Sequence, residues 1–342
     1  MLSHRIQNFL EREVVGQSRA VNTLTRSLTV ALSGIAPPET PIGSYLFLGP
    51  SGTGKSHVAR ALARMLGDQN DRLAVVDCNQ FGGANDLQSM AGQIAPNFQN
   101  SGNSEDGLLT MPRPSILLVE NLEAAKHGFV QALLGVIETG RLRLSDGHHG
   151  SLAGCLVLMT SKLCAGEIYG EDRQEIGFAT GTLDLEERER ARIFEICAST
   201  VEKRWGSVLL GHIDDLIVFH RLREHHLPLI LDQQIENLNE QLTSRRIRVE
   251  IEPEAREYLL AGCAGYPRNG AWFLIKSFRR YVVFPLADMM ADGTNTNARV
   301  QVDLEGGARL RFRVRPQGQE DAPADFAPER SIPIEWEETA KC

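Results

Sequence analysis

The sequence has no apolar run near the roughly 20 residues that a membrane-spanning helix needs. Its first residues, Met-Leu-Ser-His-Arg-Ile-Gln, lack the apolar centre of a secretory signal peptide. The six cysteines show no paired Cys-x-x-Cys spacing, so the usual signatures of a zinc site and of a disulfide framework are both missing. These absences predict a cytoplasmic protein with reduced thiols and no membrane association.

Basic residues are outnumbered, with 36 Lys and Arg against 44 Asp and Glu, which gives a net charge of −8. The excess of acid is concentrated in residues 317–342, where seven acids stand against Arg330 and Lys341, a net charge of −5. That segment also holds three prolines, and its composition predicts a disordered tail. The acidic balance argues against nonspecific nucleic-acid binding.

A complete phosphate-binding loop is present at residues 49–56, which read Gly-Pro-Ser-Gly-Thr-Gly-Lys-Ser. An apolar strand pattern precedes it and a helical pattern follows, so backbone N–H groups and a helix dipole would surround a polyphosphate; a chance glycine-rich loop is the alternative. Lys55 would bridge the β- and γ-phosphates, and Ser56 would ligate the metal. We therefore predict ATP and Mg²⁺ as cofactors. The predicted contacts are Gly49, Pro50, Ser51, Gly52, Thr53, Gly54, Lys55 and Ser56.

Apolar strand patterns alternate with helical patterns along the first 220 residues. Candidate strands are residues 45–48, 73–77, 115–119, 155–160 and 216–219, with helices such as 56–66 and 129–138 between them. This alternation predicts an α/β fold with a parallel sheet covered on both faces. Such sheets carry their chemistry at the carboxyl ends of the strands, where the loop at 49–56 and Glu120 fall.

The pattern changes after residue 220. Helical stretches over residues 227–244, 252–262 and 271–291 precede two alternating segments around Glu305-Gly306-Gly307, which predict a hairpin. In its second strand four arginines alternate with apolar residues, at positions 309, 311, 313 and 315. Two interpretations stay open: a solvated face that discourages edge pairing, or a dock for an acidic surface of a partner or of the chain's own tail.

The chain resembles the Clp-type AAA+ ATPases, and within them the second ATPase module of the ring-forming disaggregases and unfoldases. Short matches occur in the family's order along roughly residues 10–315. They are Val14-Val15-Gly16-Gln17 with Ala20-Val21, Pro41-Ile42-Gly43-Ser44, Leu134 to Gly140-Arg141-Leu142 with Asp146-Gly147, Leu158-Met159-Thr160-Ser161, Ile213-Asp214 with Val218-Phe219, and Gly265-Tyr266 with Gly270-Ala271.

The resemblance implies a P-loop AAA+ nucleotide-binding domain over residues 1–220 and a smaller, mainly helical lid domain with a terminal β-hairpin over residues 221–316. The acidic tail, 317–342, follows. It also implies that Val14 and Val15 line an adenine pocket, and that the chain works with a protein partner or as a homo-oligomer, up to a hexameric chaperone ring.

Four positions depart from the family's catalytic pattern. Val119 replaces an aspartate before the catalytic Glu120, and Lys162 replaces a polar sensor asparagine. His212 replaces an arginine finger, and Trp272 replaces the small-domain arginine. Glu120 can still orient water, and Lys162 can reach a γ-phosphate as a point charge, so these two remain the candidate catalytic residues.

The losses favour an ATP-binding module with weak or lost hydrolysis that acts in a protein assembly. The alternative is an active ATP-driven protein remodeller or unfoldase ring, in which Phe98 would serve as the threading aromatic of a pore loop; a phenylalanine packed against its own domain also fits this stretch. An ordinary slow ATPase stays open as well, with nearby residues such as Arg268 or Lys276 partly replacing the lost small-domain arginine. A nucleic-acid motor is a third class, which the acidic balance disfavours.

Overall fold

The computed structural model describes residues 2–37, 39–67, 72–80, 86–97, 99–100, 109–111, 114–144, 147–170, 182–264, 271–291, 297–307, 309–316 and 329–333. Of the motif and candidate site residues named above, those outside the described ranges are Phe98, Asp146, Gly265, Tyr266, Arg268 and Gly270. Contacts within the chain divide it into two units, Met1–Arg221 and Leu222–Cys342.

The first unit contains nine strands among its described residues. They are β1 (Gly43–Leu48), β2 (Leu73–Asp77), β3 (Gln99–Asn100), β4 (Leu109–Thr110), β5 (Ser115–Glu120), β6 (Arg141–Arg143), β7 (His149–Ser151), β8 (Cys155–Ser161) and β9 (Asp215–Val218). Five of them form a parallel sheet in the order β2-β5-β8-β1-β9. The four short strands form a second sheet in the order β3-β4-β7-β6.

Eight helices are described in this unit. They are α1 (Leu2–Glu13), α2 (Ser18–Leu32), α3 (Lys55–Leu66), α4 (Asp86–Ile94), α5 (His127–Thr139), α6 (Ala165–Tyr169), α7 (Thr182–Trp205) and α8 (Ser207–His212). In the part of the chain that the structure describes, no helix is both long enough and apolar enough to cross a membrane.

The parallel sheet is buried on both faces, which explains why its strands read as continuous apolar runs. Every residue of β1 and of β8 is buried. Alternate residues of the sheet, such as Phe47 and Leu118, pack with α1, α2 and α3 on one face. The intervening residues, such as Leu46 and Val119, pack with α4, α5 and α7 on the other. The predicted parallel α/β sheet is therefore confirmed.

The second unit combines helices with a four-stranded sheet. Its described elements are α9 (Leu227–Leu242), β10 (Ile247–Ile251), α10 (Pro253–Ala264), α11 (Ala271–Phe278), a π-helical turn (Arg279–Val283), α12 (Phe284–Ala291), β11 (Ala298–Glu305), β12 (Arg309–Pro316) and β13 (Glu329–Pro333). Strands β11 and β12 form the predicted hairpin, with positive φ at Gly306 and Gly307. Strand β10, which we did not predict, pairs parallel to β11.

The structure differs from expectation within the tail. Residues 317–342 are expected to be disordered, yet five of them form β13, which pairs antiparallel with β12. Without β13, the edge of β12 would present unpaired N–H and C=O groups, and Ile332 lies in register with the buried Leu310. Pairing with the edge of β12 stabilises this segment, and that stabilisation depends on the tertiary structure rather than on the composition of the segment. The other residues of the tail lie outside the described part.

Candidate functional site

The glycine-rich loop connects the carboxyl end of β1 to the first residue of α3. Gly49, Gly52 and Gly54 have φ values of +146°, +77° and +100°, a region that side chains disfavour. A Cβ on Gly49 would also lie 2.4 Å from the carbonyl oxygen of Phe219, so only glycine fits there. The loop therefore needs glycine for its positive φ values and, at Gly49, also because there is no room for a Cβ.

Lys55 is the first residue of α3 and is only 8% exposed. Its Nζ donates to the carbonyl oxygens of Gly49 and Pro50, at 2.6 Å each. The Thr53 hydroxyl donates to the same Pro50 carbonyl at 2.9 Å. Among the described residues, the Lys55 ammonium forms no ion pair with a carboxylate. A buried cation whose partners are all neutral is a site that favours an anion.

Burial lowers the pKa of Lys55 to about 8, while the charge of Glu123 raises it and that of Lys162 lowers it further. Glu123 follows β5 in the chain, and Lys162 follows β8. The ends of three neighbouring strands therefore contribute charge at one place, which is the edge of the sheet where we expect the chemistry.

Gln17 joins the loop to the end of the first unit. Its Nε2 donates to the carbonyl oxygen of His220 at 2.9 Å and to that of Thr53 at 3.4 Å. Its Oε1 accepts from the backbone N–H of His220 at 3.2 Å. The residue is 4% exposed, so the amide is held inside the protein. From the sequence, Gln17 was named only as part of a motif, and this role was not predicted. A glutamine next to a glycine does not by itself indicate contacts with residues as distant as Thr53 and His220.

The adenine-pocket candidates lie just before Gln17. Val14 is buried in the apolar cluster with α1 and α2, and its N–H donates to the carbonyl of Leu10 at 2.8 Å. Val15 is partly exposed. One valine therefore anchors the segment to the core, and the other retains surface that a ligand can cover.

Glu120 ends β5 and lies beside a cation from α3. Both of its carboxylate oxygens are 3.4 Å from Nη2 of Arg60. The neighbouring Val119 is fully buried in the apolar cluster on the α5 side of the sheet. Its side chain contributes packing at the place where the resemblance implies a carboxylate.

A hydrogen-bond network crosses the ends of β2, β5 and β8. Asn121, at φ +58°, donates from Nδ2 to Oδ1 of Asp77 at 2.8 Å. Its backbone N–H donates to Oγ1 of Thr160 at 3.4 Å. Asp77 also accepts from the backbone and the side chain of Asn79, at 3.1 Å each. These residues were not predicted; their position at strand ends was the available signal.

Lys162 is held through its backbone. Its N–H donates to Oε2 of Glu123 at 3.2 Å, and Glu123 accepts at its own backbone carbonyl from Nη2 of Arg204 at 3.2 Å. The Lys162 side chain is exposed. The preceding Ser161 carbonyl accepts from the N–H of Gly49 at 3.2 Å, which ties the end of β8 to the start of the loop.

Two of the matched motifs meet at the other end of β1. Oδ2 of Asp214 accepts from the backbone N–H of Ser44 at 2.7 Å and from its hydroxyl at 3.0 Å. The Ser44 hydroxyl is also 3.2 Å from the carbonyl of His212. These contacts align the entry of β9 with β1.

His212 and Trp272 lie in different units. Nδ1 of His212 is 2.8 Å from the carbonyl of Val208, and its Nε2 is 3.5 Å from Oε2 of Glu138. His212 is therefore held by its own helix and by α5. Trp272 is 57% exposed on α11, with Nζ of Lys276 at 5.1 Å from the ring centroid.

Metal ligation at this loop would rest on few protein groups. Ser56, the second residue of α3, is partly buried. In the described ranges no group of three or more His, Cys, Asp and Glu side chains is placed to hold a metal ion. The hydroxyl of Ser56 is an oxygen donor, which fits Mg²⁺, an ion that commonly keeps several waters and takes further ligands from phosphates.

Two family models match the chain. The AAA domain (Cdc48 subfamily) matches residues 40–215, and the C-terminal D2-small domain of ClpB protein matches residues 222–302. The chaperone protein ClpB of Rhizobium meliloti is 31% identical over 314 residues, which are 90% of this chain and 34% of that protein. The ATP-dependent Clp protease ATP-binding subunit ClpC of Staphylococcus epidermidis is 28% identical over 307 residues, 88% of this chain and 36% of that protein. The chain thus spans about a third of the length of these curated relatives.

Proposed function

The chain belongs to the AAA family as a Clp-type member related to ClpB and ClpC, and on that premise we propose that it binds ATP with Mg²⁺ and hydrolyses it slowly or not at all. It acts within a protein assembly, either with a partner or as a homo-oligomeric ring.

The observation that carries the proposal is the state of Lys55. Its buried ammonium is surrounded by neutral carbonyls of the glycine-rich loop, and the N-terminus of α3 adds positive potential at the same place. A triphosphate supplies the missing negative charge. Ser56 and water would hold the metal, which neutralises charge on the β- and γ-phosphate oxygens when bound. Val14 and Val15 would cover the base.

Slow hydrolysis is expected because three residues lack the chemical groups that the resemblance implies for catalysis. The side chain of Val119 packs in the core, so position 119 offers no carboxylate that could help to place the metal. His212 faces Val208 and Glu138 of its own unit, whereas an arginine finger is worth roughly 10³–10⁵ in rate. Lys162 carries charge but lacks the amide that positions an attacking water.

Retention of Glu120 favours a second candidate function. An ATP-driven protein remodeller needs a carboxylate that orients water at the end of β5, and Glu120 stands there. In this alternative, the ion pair with Arg60 opens when ATP binds, and Lys162 compensates for the lost asparagine.

Calorimetry and phosphate release separate these possibilities. We expect wild-type chain to bind ATP in the presence of Mg²⁺ and Lys55→Ala to lose binding, while Lys203→Ala, which removes an exposed lysine of α7, keeps it. Turnover should stay far below about 1 s⁻¹. Unchanged affinity in Lys55→Ala, or no binding by wild type, would refute ATP binding. Turnover of about 1 s⁻¹ that disappears in Glu120→Gln would refute slow hydrolysis and favour the second candidate function.

A further inference from the structure

The exposed face of the sheet in the second unit is sorted by charge along its strands. Residues such as Val249, Val300 and Phe312 point into the core, so the intervening residues of β10, β11 and β12 lie on the opposite face. Acids and arginines alternate toward the hairpin turn. Toward the other end, three arginines stand in register on neighbouring strands, and we name them the arginine row: Arg248, Arg299 and Arg315.

The arginines near the turn are already paired. Arg311 contacts both carboxylate oxygens of Asp303 at 3.1 Å, and Arg313 contacts Asp303 at 2.7 Å. Ser331 accepts from Arg309 at 3.0 Å and donates to Glu305 at 2.7 Å. Asp303 therefore offsets charge of Arg311 and Arg313, and Arg309 is held by a hydroxyl that in turn engages Glu305.

The arginine row differs in that one carboxylate, Glu250, contacts two of its three guanidinium groups. Glu250 lies 2.8 Å from Arg299 and 3.5 Å from Arg248. In the part of the chain that the structure describes, Arg315 has no hydrogen-bond or ion-pair partner. The side chains of Arg248 and Arg299 are 68% and 49% exposed. The row thus places three guanidinium groups side by side on one face of the sheet.

We propose that the arginine row docks an acidic peptide segment of a protein partner. Neighbouring strands lie about 4.8 Å apart, so the row spans roughly 10 Å, a distance that a few closely spaced carboxylates can match. Guanidinium groups bind carboxylates through two parallel hydrogen bonds. A nucleic acid fits less well, because its charge density is repelled by a chain of net charge −8, whereas a short acidic peptide carries few charges.

Fluorescence anisotropy with a labelled peptide of alternating glutamate and alanine tests this docking site, and the same peptide with glutamine is its control. Arg315→Gln and Arg309→Gln each remove one charge from β12, so they form a matched pair. We expect Arg315→Gln to weaken peptide binding about tenfold and Arg309→Gln to change it less than about twofold. Added salt should weaken binding by wild type.

ATP affinity and the thermal unfolding midpoint should be unchanged in both variants, since the row belongs to neither the loop nor the core. Peptide binding therefore tests the docking site and ATP affinity tests the proposed nucleotide site, so either proposal can be refuted without the other. Equal losses in the two variants, equal binding of the glutamine peptide, or tighter binding of a duplex oligonucleotide would overturn the proposal. Binding that appears only after Glu320, Asp321 and Asp325 are changed to neutral amides would assign the row to the chain's own segment and also overturn it.

Discussion

The side-chain amide of Gln17 holds the backbone of His220 at both its N–H and its C=O, at 3.2 and 2.9 Å. The same Nε2 reaches the Thr53 carbonyl at 3.4 Å. His220 stands one residue before the end of the first unit, at Arg221. A single buried amide therefore fixes the phosphate-binding loop and the last residues of the unit in one arrangement.

Replacing Gln17 by alanine leaves the N–H of His220 and two carbonyls without this partner in a buried place. We expect a loss of about 1–3 kcal/mol in the free energy of unfolding, measured by urea denaturation, and weaker ATP binding. Gln17→Glu keeps the acceptor for the His220 N–H but loses the donor, so its loss at neutral pH should be comparable or larger because a carboxylate then faces two carbonyls. Wild-type stability in Gln17→Ala would show that the amide contributes nothing.

ATP binding should depend on pH through Lys55, whose pKa burial lowers to about 8. The phosphates favour the charged lysine, so affinity is constant below pH 8 and falls as pH rises above it. We expect the opposite trend in the stability of the chain without ATP: between about pH 8 and the ordinary pKa of 10.5 the unfolded state binds more protons, so the free energy of unfolding should rise with pH.

Calorimetric titrations from neutral pH upward check this dependence on Lys55. The matched variant is Lys55→Arg, because a guanidinium stays charged throughout that range. If this variant binds ATP at all, its affinity should be flat with pH. A fall of equal slope in wild type and in Lys55→Arg would mean that another group titrates.

A substitution at Gly49 should be far more costly than one at Gly135. A Cβ at position 49 meets a backbone oxygen at 2.4 Å and a φ of +146°, and neither relaxes easily. We expect Gly49→Ala to destabilise the chain by about 1–3 kcal/mol. Gly135 lies in the exposed middle of α5 with open space around its Cβ, so Gly135→Ala should stabilise it by up to about 1 kcal/mol. Thermal unfolding of both variants measures the contrast, and equal effects would contradict it.

Glu120→Gln tests whether Glu120 contributes to ATP hydrolysis but not to ATP binding. The carboxylate contacts Arg60 rather than the loop, so we expect ATP affinity to stay within about threefold of wild type. Any phosphate release should fall at least about tenfold, since an amide is a poor base for water. Single-turnover measurements with excess protein detect slow release. A large loss of ATP affinity would place Glu120 among the binding residues instead.

Removal of the tail should expose the edge of strand β12. A chain ending at Pro316 lacks β13, which leaves β12 as an unpaired edge strand, so we expect stronger self-association at high concentration with unchanged ATP affinity. A chain ending at Pro333 keeps β13 and is the matched control. Sedimentation velocity compares the two. Identical sedimentation at all concentrations would mean that β13 does not protect the edge.

Local patterns were enough to predict the loop and the strands around it. Residues 49–56 carry their conformation in the glycines, and the strands of a doubly covered sheet are apolar over their whole length. The contacts that shape the site are not local. Arg60 meets Glu120, and Asn121 meets Asp77, only because the sheet order brings β2 and β5 side by side beside α3.

The same limit applies to the second unit. Alternation in β12 predicted which face the arginines share, but not that Asp303 would pair with two of them across the hairpin. The composition of the tail predicts disorder. It contains no information on the edge of β12, whose backbone groups pair with β13.

The place of β1 in the sheet sets the order in which the first unit can be assembled during synthesis. Both of its neighbours, β8 and β9, come more than a hundred residues later, ending at Ser161 and Val218. At the usual ribosomal rate of 5–20 residues per second, β1 waits on the order of ten seconds for its first partner. Throughout that interval the nascent chain carries an unpaired strand whose residues are all apolar after Ser44. The strand that leads into the nucleotide loop is thus also open to aggregation, and to capture by cellular chaperones, until those partners are synthesised.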